Sequence, residues 1–339
     1  MGRIEQELRV GIVGCGLIGD KRAQALKGGS LVACYDVVPA QAQRLAAKNG
    51  GAKVAASLIE LLSMPEIDVV IVATVNAHLA AISIQALQAG KHVLVEKPAG
   101  CRVDEAAAIL VAAREADRLV RVGFNHRYHK AIRQAREVFQ SGELGDLMFI
   151  RARYGHGGRK GYDQEWRANP ALSGGGELID QGVHLIDLAR WFLGEFDTVS
   201  GVAQTCFWNM PVDDNAFMIL KTKRDQVAFL HASCTEWKNT FSFEIFGRDA
   251  KLHVEGLGGS YGVERLAYYK MLPQMGPPET TIWEYPMADD SWHVEFEEFL
   301  EDIRLQRQPA VGLGDAIAAL TVVQQIYALS KYDNHPKSS

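Results

Sequence analysis

The sequence predicts an α/β protein with two domains, a doubly wound parallel sheet followed by an α+β domain with a large, mostly antiparallel, open sheet. Its 339 residues exceed the roughly 100–200 residues of one ordinary domain. In the first third, short apolar runs alternate with amphipathic helical stretches, which is the pattern of a parallel sheet. Beyond it, strand-like segments follow one another with few helices, which favours antiparallel pairing. We place the domains at residues 1–124 and 125–339.

The first domain is predicted to contain five strands separated by helices. The strands are expected at residues 8–13, 31–36, 69–73, 92–96 and 119–123. The helices are expected at residues 19–27, 39–49, 76–89 and 104–116. Pro39 suits the first turn of a helix, and Gly90 suits a helix end.

The second domain is predicted to begin with a helix at residues 129–141. Its strands are expected at residues 147–154, 198–204, 216–221, 226–234, 241–247 and 261–270. A helix at residues 177–193 interrupts them, and helices at residues 292–304 and 315–332 close the chain.

Composition narrows the class of protein. Hydrophobic residues make up 47% and charged residues 23% of the chain, which suits a globular protein and excludes a disordered chain or a coiled coil. The net charge of -5 has the wrong sign for a general nucleic-acid binder. The five cysteines lack a CxxC pair or metal-like spacing, so they predict neither a disulfide framework nor a metal site. We therefore expect a small-molecule partner.

The N-terminal residues 1–9 carry charges of both signs and lack the apolar stretch of a signal peptide. No apolar run in the sequence approaches the roughly 18 residues of a membrane helix. We expect a cytoplasmic protein with no membrane partner.

A glycine-rich motif directly follows the first predicted strand and opens the first helix. It reads Gly14-Cys15-Gly16-Leu17-Ile18-Gly19. Such a turn lets the backbone approach a pyrophosphate at a helix N-terminus, as in Rossmann domains. Asp36 closes the second strand, where a carboxylate can accept hydrogen bonds from ribose hydroxyls and would repel a 2′-phosphate. We therefore expect NAD rather than NADP, although similar turns also occur in proteins that bind flavins, other nucleotides or nothing.

Two further motifs lie far apart in the chain. Glu96-Lys97-Pro98 stands at the end of the strand predicted at residues 92–96, and Asp180 and His184 stand four residues apart in the second domain. Together with the glycine motif, and in this order, they resemble the motifs of the Gfo/Idh/MocA oxidoreductases, the family of glucose-fructose oxidoreductase and inositol 2-dehydrogenase. The resemblance implies a Rossmann domain, a second domain whose open sheet often mediates dimers or tetramers, and NAD(P)-dependent chemistry on a sugar, sugar derivative or cyclitol.

The resemblance also assigns roles to individual residues. Lys97 is expected to be catalytic or to position substrate, with Asp180 and His184 as the polar catalytic pair. Thr74, Asn76 and His78 belong to a stretch similar to the family's TPNxxH segment near the nicotinamide, with Val75 in place of proline. The segment Gly123-Phe124-Asn125-His126-Arg127-Tyr128 is similar to the family's GFNRRF-like segment, with His126 in place of the first arginine. On this basis the predicted cofactor contacts include Glu96, Lys97 and Asn125, and the predicted substrate contacts include Lys97 and Arg127.

The residue types of the Asp180 and His184 pair suit alcohol oxidation. A hydride leaves carbon while a proton leaves oxygen, and His184 can accept that proton near neutral pH. Asp180 lies one helical turn earlier, where it can orient the imidazole or bind a substrate hydroxyl. The alternative is that both residues lie on a solvated helix face. The preceding glycines 174–176 argue against this alternative, because they can present backbone donors to a ligand. A metal site lacks two further ligands at recognisable spacing.

Lys97 is predicted to lie at the carboxyl edge of the parallel sheet, where open α/β folds bind ligands. A lysine there can donate to the reacting oxygen and stabilise a developing alkoxide. The alternative is an exposed loop lysine paired with Glu96.

A basic, aromatic loop follows in the second domain. Its residues are Arg151, Arg153, Tyr154, Arg159, Lys160, Tyr162, Trp166 and Arg167. This mixture can hold a carboxylate or phosphate and stack a sugar ring, so Arg153 and Tyr162 are predicted substrate contacts. Asp163 and Glu165 dilute the charge, and an ordinary surface fits equally well.

The sequence thus predicts an NAD-dependent dehydrogenase or reductase that acts on a secondary hydroxyl of a sugar, sugar nucleotide or cyclitol, as a homodimer or homotetramer. The substrate would be acidic or nucleotide-linked if the basic loop binds it. The alternatives are an NAD-dependent glycosidase that oxidises its substrate transiently, and a non-catalytic NAD-sensing protein.

Overall fold

The structure is a computed structural model that describes residues 7–332. Residues 1–6, which contribute to the expectation about a signal peptide, lie outside the described part. The chain divides into two compact units after Phe124, at the predicted boundary. The segment Trp292–Ile317 differs from the prediction, because it belongs to the first unit rather than the second.

The first unit is built on a six-stranded parallel sheet with the strand order β3-β2-β1-β4-β5-β6, which confirms the predicted doubly wound sheet. The strands are β1 (Leu8–Val13), β2 (Gly29–Tyr35), β3 (Lys53–Val54), β4 (Val69–Val72), β5 (His92–Glu96) and β6 (Val120–Gly123). The helices are α1 (Leu17–Gln24), α2 (Pro39–Lys48), α3 (Leu58–Leu62), α4 (Asn76–Gln88) and α5 (Val103–Ala116). Every residue of β4 is buried, as expected for a parallel strand covered by helices on both faces.

Two short elements of this unit were not predicted, β3 and α3. β3 has two residues, both exposed, so it lacks the apolar run by which a strand is recognised. α3 has five residues. Its N-cap is Ser57, whose side chain accepts a hydrogen bond from the backbone N–H of Glu60.

The second unit contains an eight-stranded sheet with the order β14-β13-β12-β11-β7-β10-β9-β8. Its strands are β7 (Leu147–Gly155), β8 (Phe196–Gln204), β9 (Asn215–Thr222), β10 (Val227–Ser233), β11 (Thr240–Gly247), β12 (Ala250–Glu255), β13 (Glu264–Lys270) and β14 (Glu279–Tyr285). All neighbouring pairs are antiparallel except β7 and β10, which confirms the predicted mostly antiparallel sheet. Strands β12 and β14 were not predicted. Tyr261, predicted as the first residue of a strand, lies in a 3-10 turn formed by residues 259–261.

The helices of the second unit are α6 (Lys130–Gln140), α7 (Pro170–Ser173) and α8 (Val183–Leu193), and α9 (Ser291–Leu305) and α10 (Leu313–Leu329) complete the chain. The predicted helix at 177–193 is not α-helical throughout, because residues Leu178–Gly182 form a π-helical turn. Such turns are rare and are frequent at functional sites. Among residues 7–332, no helix is both long and apolar enough to cross a bilayer.

Candidate active site

The predicted cofactor residues follow neighbouring strands of the first sheet. β1, β4 and β5 are adjacent and parallel. Gly14 and Lys97 directly follow β1 and β5, and Thr74 is the second residue after β4. Asp36 follows β2 on the other side of β1. Parallel topology therefore brings these four residues to one edge of the sheet, where ligands bind in open α/β folds.

The glycine motif is shaped by close backbone approaches. Gly14 has φ +92°, and a Cβ there would lie 2.5 Å from the carbonyl oxygen of Ala73. A Cβ on Gly19 would lie 2.0 Å from the carbonyl oxygen of Gly14. A Cβ on Gly16 would have Oε1 of Gln41 as its nearest neighbour, at 3.7 Å. Two glycines are thus required for packing, while Gly16 leaves the open side of the turn accessible, as pyrophosphate binding needs.

Asp36 is tied to this turn. Its Oδ2 accepts a hydrogen bond from the backbone N–H of Cys15 at 2.7 Å, and its Oδ1 accepts one from Val38 at 2.8 Å. Val37 beside it is 84% exposed. Arg44 was not predicted at this site, but its Nη2 donates to the carbonyl oxygen of Cys15.

The remaining predicted cofactor residues of this unit lie at the starts of α1 and α4. Leu17 is exposed and Ile18 is half-buried in the first turn of α1. Asn76 is buried and His78 is exposed in the first turn of α4, and Thr74 precedes it.

Glu96 does not serve as the partner of an exposed loop lysine. Its Oε1 accepts a hydrogen bond from Nε of Arg22 at 2.7 Å. Arg22 also donates from Nη1 to Oε2 of Glu295 at 2.5 Å. All three side chains are buried. Lys97 is half-buried, and its peptide bond to Pro98 is cis.

In the second unit, Asp213 fixes the segment that carries Asp180 and His184. Its carboxylate accepts hydrogen bonds from the backbone N–H groups of Gly176 at 2.9 Å and Leu178 at 2.7 Å, and from the hydroxyl of Tyr327. A Cβ on Gly176 would lie 1.9 Å from the carbonyl oxygen of Asp213. The N–H of Gly176 therefore forms hydrogen bonds within the protein. The expectation that it is presented to a ligand was wrong.

The Asp180 and His184 pair is not a solvated helix face. His184 is 5% exposed, and its ring meets that of His126 edge to face, with 3.8 Å between centroids. The Oδ2 of Asp180 accepts a hydrogen bond from Nε of Arg167 at 2.9 Å. Arg167 belongs to the predicted basic loop, but its pairing with Asp180 was not predicted.

Further polar rings surround this segment. The Nδ1 of His156 accepts a hydrogen bond from the backbone of Gly158, and its Nε2 lies 3.7 Å from Oε1 of Glu177. Burial lowers the pKa of His156, so the neutral ring carries its proton on Nε2, facing Glu177. Burial raises the pKa of Tyr261 to about 12 and the pKa of Tyr154 well above its ordinary value, so both phenols keep their protons at neutral pH.

Two other predicted contacts of this unit, Arg127 and Asn125, form hydrogen bonds within the protein. Arg127 donates to Asp187 in a buried pair, with 2.8 Å between Nε and Oδ2. Asn125 donates to the hydroxyl of Ser291.

Tyr162 is buried against His156, with 5.4 Å between ring centroids. Burial raises its pKa.

Arg153 lies away from this cluster. Along β7 the side chains of Ala152 and Tyr154 are buried, whereas Arg151 and Arg153 are exposed. Because side chains alternate between the two faces of a strand, Arg153 is on the opposite face of the sheet from Tyr154. The structure therefore does not bring Arg153 together with Asp180 and His184.

Across the described residues 7–332, no cluster of His, Cys, Asp or Glu has the arrangement needed to hold a metal ion.

Two family models match most of the chain. The model for the oxidoreductase family with an NAD-binding Rossmann fold matches residues 8–124. The model for the GFO/IDH/MocA C-terminal domain matches residues 132–253. The chain belongs to the Gfo/Idh/MocA oxidoreductase family. It is an NAD-dependent oxidoreductase, which confirms the predicted class of enzyme and cofactor.

This Gfo/Idh/MocA protein is similar to several curated relatives. It is 27% identical over 334 residues to scyllo-inositol 2-dehydrogenase (NAD(+)) of Bacillus subtilis, an alignment that covers 94% of this chain and 93% of the relative. It is 28% identical over 242 residues to levoglucosan dehydrogenase of Pseudarthrobacter phenanthrenivorans, covering 65% of this chain and 60% of that relative. Among solved structures, levoglucosan dehydrogenase in complex with NADH superposes with a TM-score of 0.87 at 21% identity, covering 96% of this chain and 97% of that chain. That likeness supports the fold.

The residues present fit the dinucleotide. The open side of Gly16 suits a pyrophosphate, and the carboxylate of Asp36 suits ribose hydroxyls. When bound, NAD supplies a nicotinamide that accepts or gives a hydride.

Proposed function

We propose that this protein is an NAD-dependent dehydrogenase that oxidises a secondary hydroxyl of a sugar, sugar nucleotide or cyclitol. The observation that carries the proposal is the pair of Asp180 and His184 on one helical segment, where His184 is buried and Asp180 is half-buried, in a chain whose first unit has the glycine turn and Asp36. The two relatives described above act, by their names, on an inositol and on levoglucosan.

In the oxidising direction His184 takes the hydroxyl proton as general base. Burial removes competing water from the imidazole, and its edge-to-face contact with His126 restricts the orientation of the ring. Asp180 binds a neighbouring substrate hydroxyl and favours the imidazolium that forms. Its hydrogen bond from Arg167 orients the carboxylate.

Lys97 polarises the reacting oxygen in this scheme. A lysine at the carboxyl end of β5 donates a hydrogen bond from an ammonium group, which stabilises the developing alkoxide. Glu96, the residue before Lys97, is held by its hydrogen bond from Arg22. The end of the strand next to Lys97 is therefore fixed.

We propose that the substrate is uncharged near the reacting carbon. Three of the four arginines of the basic loop have carboxylate partners: Arg151 pairs with Glu244, Arg159 with Glu165 and Arg167 with Asp180. The fourth, Arg153, lies on the opposite face of the sheet from Tyr154. Neutralised arginines bind an acidic substrate poorly, because an anion would have to displace the existing carboxylates.

The test is a screen for reduction of NAD and NADP against inositols, free sugars, uronates and nucleotide sugars. We expect reduction of NAD with a neutral polyol or sugar. Absence of reduction with every polyol would contradict the proposal, and faster turnover of uronates would contradict the charge argument.

We further propose that the protein assembles as a homodimer through the sheet face that carries Arg153. Ile219 and Phe229, which pair across β9 and β10, are about half-exposed on this face. Beside them lies a hollow of about 440 Å³ whose lining includes both Arg153 and Glu255. A patch that carries apolar groups and charges of both signs suits association with a second copy of itself.

Sedimentation velocity tests the assembly. Phe229→Lys is expected to yield monomers, whereas Val111→Lys, at an exposed position on α5, is expected to leave the assembly unchanged. A monomeric unmodified protein at micromolar concentration would contradict the proposal.

A further inference from the structure

Two large aromatic side chains are exposed on loops of the second unit. Phe207, between β8 and β9, is 56% exposed, and Trp237, between β10 and β11, is 68% exposed. Their rings meet edge to face with 4.7 Å between centroids. Exposed aromatic pairs are unusual in a soluble domain and mark places where a ligand binds.

The loop that carries Phe207 is held rigidly by Asp214. This carboxylate is fully buried and accepts hydrogen bonds from three consecutive backbone N–H groups, those of Cys206, Phe207 and Trp208, at 2.7–2.9 Å. The indole of Trp208 donates to the carbonyl oxygen of Cys234 at 2.9 Å, so the loop is preorganised.

The loop that carries Trp237 is strained. Trp237 has φ +53°, a left-handed conformation that bulky residues rarely adopt and that costs free energy. A Cβ on Gly157 would lie 2.8 Å from the Cα of Trp237. The backbone at Gly157 is therefore packed tightly against the backbone of Trp237. Strain of this kind persists where the surroundings enforce it and is frequent at ligand-binding sites.

A continuous series of rings joins this pair to the proposed active site. Trp208 contacts Phe207 with 5.1 Å between ring centroids and Tyr162 with 5.6 Å. Tyr162 in turn contacts His156, which faces Glu177, three residues before Asp180. Asp213, which orders the Asp180 segment, is the sequence neighbour of Asp214, which orders the Phe207 loop.

We propose that Phe207 and Trp237 form a binding subsite for a second ring, joined by a glycosidic bond to the sugar that is oxidised. The inference rests on the proposed function, and it narrows the substrate class to glycosides. The C–H face of a neutral sugar ring is attracted to the negative face of an aromatic ring, and stacking removes apolar surface from water. A free monosaccharide or an inositol has no second ring to place on this pair.

The test compares methyl β-glucoside with cellobiose, and methyl α-glucoside with maltose, in turnover and in calorimetric binding to the NADH-loaded protein. We expect the disaccharide of at least one pair to have a kcat/KM, and an affinity, roughly three- to tenfold higher. Trp237→Asn and Phe207→Ala are expected to abolish this difference while leaving the methyl glucoside values unchanged. Asparagine tolerates the left-handed backbone, so Trp237→Asn removes the ring without adding strain.

Trp283→Ala is the matched control, because Trp283 lies on β14 at the opposite edge of the sheet from β8. Its disaccharide preference should equal that of the unmodified protein. The subsite is overturned if neither disaccharide binds more tightly than its methyl glucoside, or if Trp237→Asn keeps the preference. Calorimetry separates the two proposals. Tighter disaccharide binding without turnover contradicts the oxidation of glucosides and supports the subsite. Equal turnover and equal affinity of disaccharide and methyl glucoside in both pairs contradict the subsite alone.

Discussion

Arg22 on helix α1 donates a hydrogen bond from Nε to Oε1 of Glu96 at the end of β5, at a distance of 2.7 Å. Both side chains are buried, and Glu295 from α9 completes the group. The helix that opens at the glycine motif is thereby tied to the strand end that precedes Lys97. One guanidinium balances two carboxylates, so its removal leaves both uncompensated.

Arg22→Met is therefore expected to destabilise the protein by about 3–5 kcal/mol, as for the loss of one partner from a buried ion pair. Urea unfolding measures the change. Lys27→Met, which breaks the exposed pair with Glu297, is the matched control and should cost at most about 1 kcal/mol. Similar losses in the two variants would show that the buried group contributes no more than a surface pair.

Lys97→Met and His184→Ala should each abolish turnover while NAD still binds. In the proposed mechanism both groups act on the reacting hydroxyl, whereas the glycine turn and Asp36 are expected to hold the dinucleotide. Stopped-flow turnover and fluorescence titration with NADH check the two parts. Lys221→Met and His253→Ala, both on the sheet of the second unit, are the controls, and turnover close to normal in either active-site variant would remove that residue from the mechanism.

Asp36→Ala should weaken NAD binding about tenfold or more, because charged hydrogen bonds to ribose hydroxyls are lost. It should also improve NADP relative to NAD, since the repulsion of a 2′-phosphate disappears and Arg44 is near. The double variant Asp36→Ala, Arg44→Met should lose that improvement. Equal affinities of the unmodified protein for both cofactors would contradict this account.

His92 gives the first unit a predictable pH dependence. Burial, with a smaller contribution from Arg118, lowers its pKa from 6.5 to about 4, and its Nδ1 accepts a hydrogen bond from the backbone of Leu119. The unfolded chain binds this proton more readily than the folded chain does. The free energy of unfolding is therefore unaffected by His92 above about pH 6.5 and decreases as pH falls toward 4.

His92→Asn keeps an acceptor for Leu119 but does not titrate. The free energy of unfolding, measured in urea at pH 7.5 and pH 5, should fall more for the unmodified protein than for this variant. An equal fall in both would show that His92 is protonated in the folded state at pH 5.

Much of the first unit could be predicted because its signals are local. The bounds of β1 and β5 agree with the predicted ranges, since each is an apolar run followed by a recognisable motif. The strand β14 was missed for a physical reason. β14 is mostly exposed, so its place is set by pairing with β13 rather than by its own apolar pattern.

The candidate site shows the same division. Asp180 and His184 are recognisable from their spacing, whereas the partner of Asp180, Arg167, is brought to it by the fold of a loop. Asp213 and Asp214 carry no motif at all. They order two separate segments by accepting backbone hydrogen bonds, a role that depends on which segments the fold brings beside them.

The segment Trp292–Ile317 belongs to the first unit although it is made after most of the second. This order affects folding during translation. Phe296, Phe299 and Leu300 pack in the same core as Val10 and Ile12, and the buried Arg121 pairs with Asp302. A ribosome that has released residues 1–124 has made the whole parallel sheet but not the helix that closes its core. The domain that begins first is thus completed last. A fragment cut at the Phe124 boundary would lack the carboxylates of Glu295 and Asp302, which pair with Arg22 and Arg121, and would leave an apolar surface uncovered.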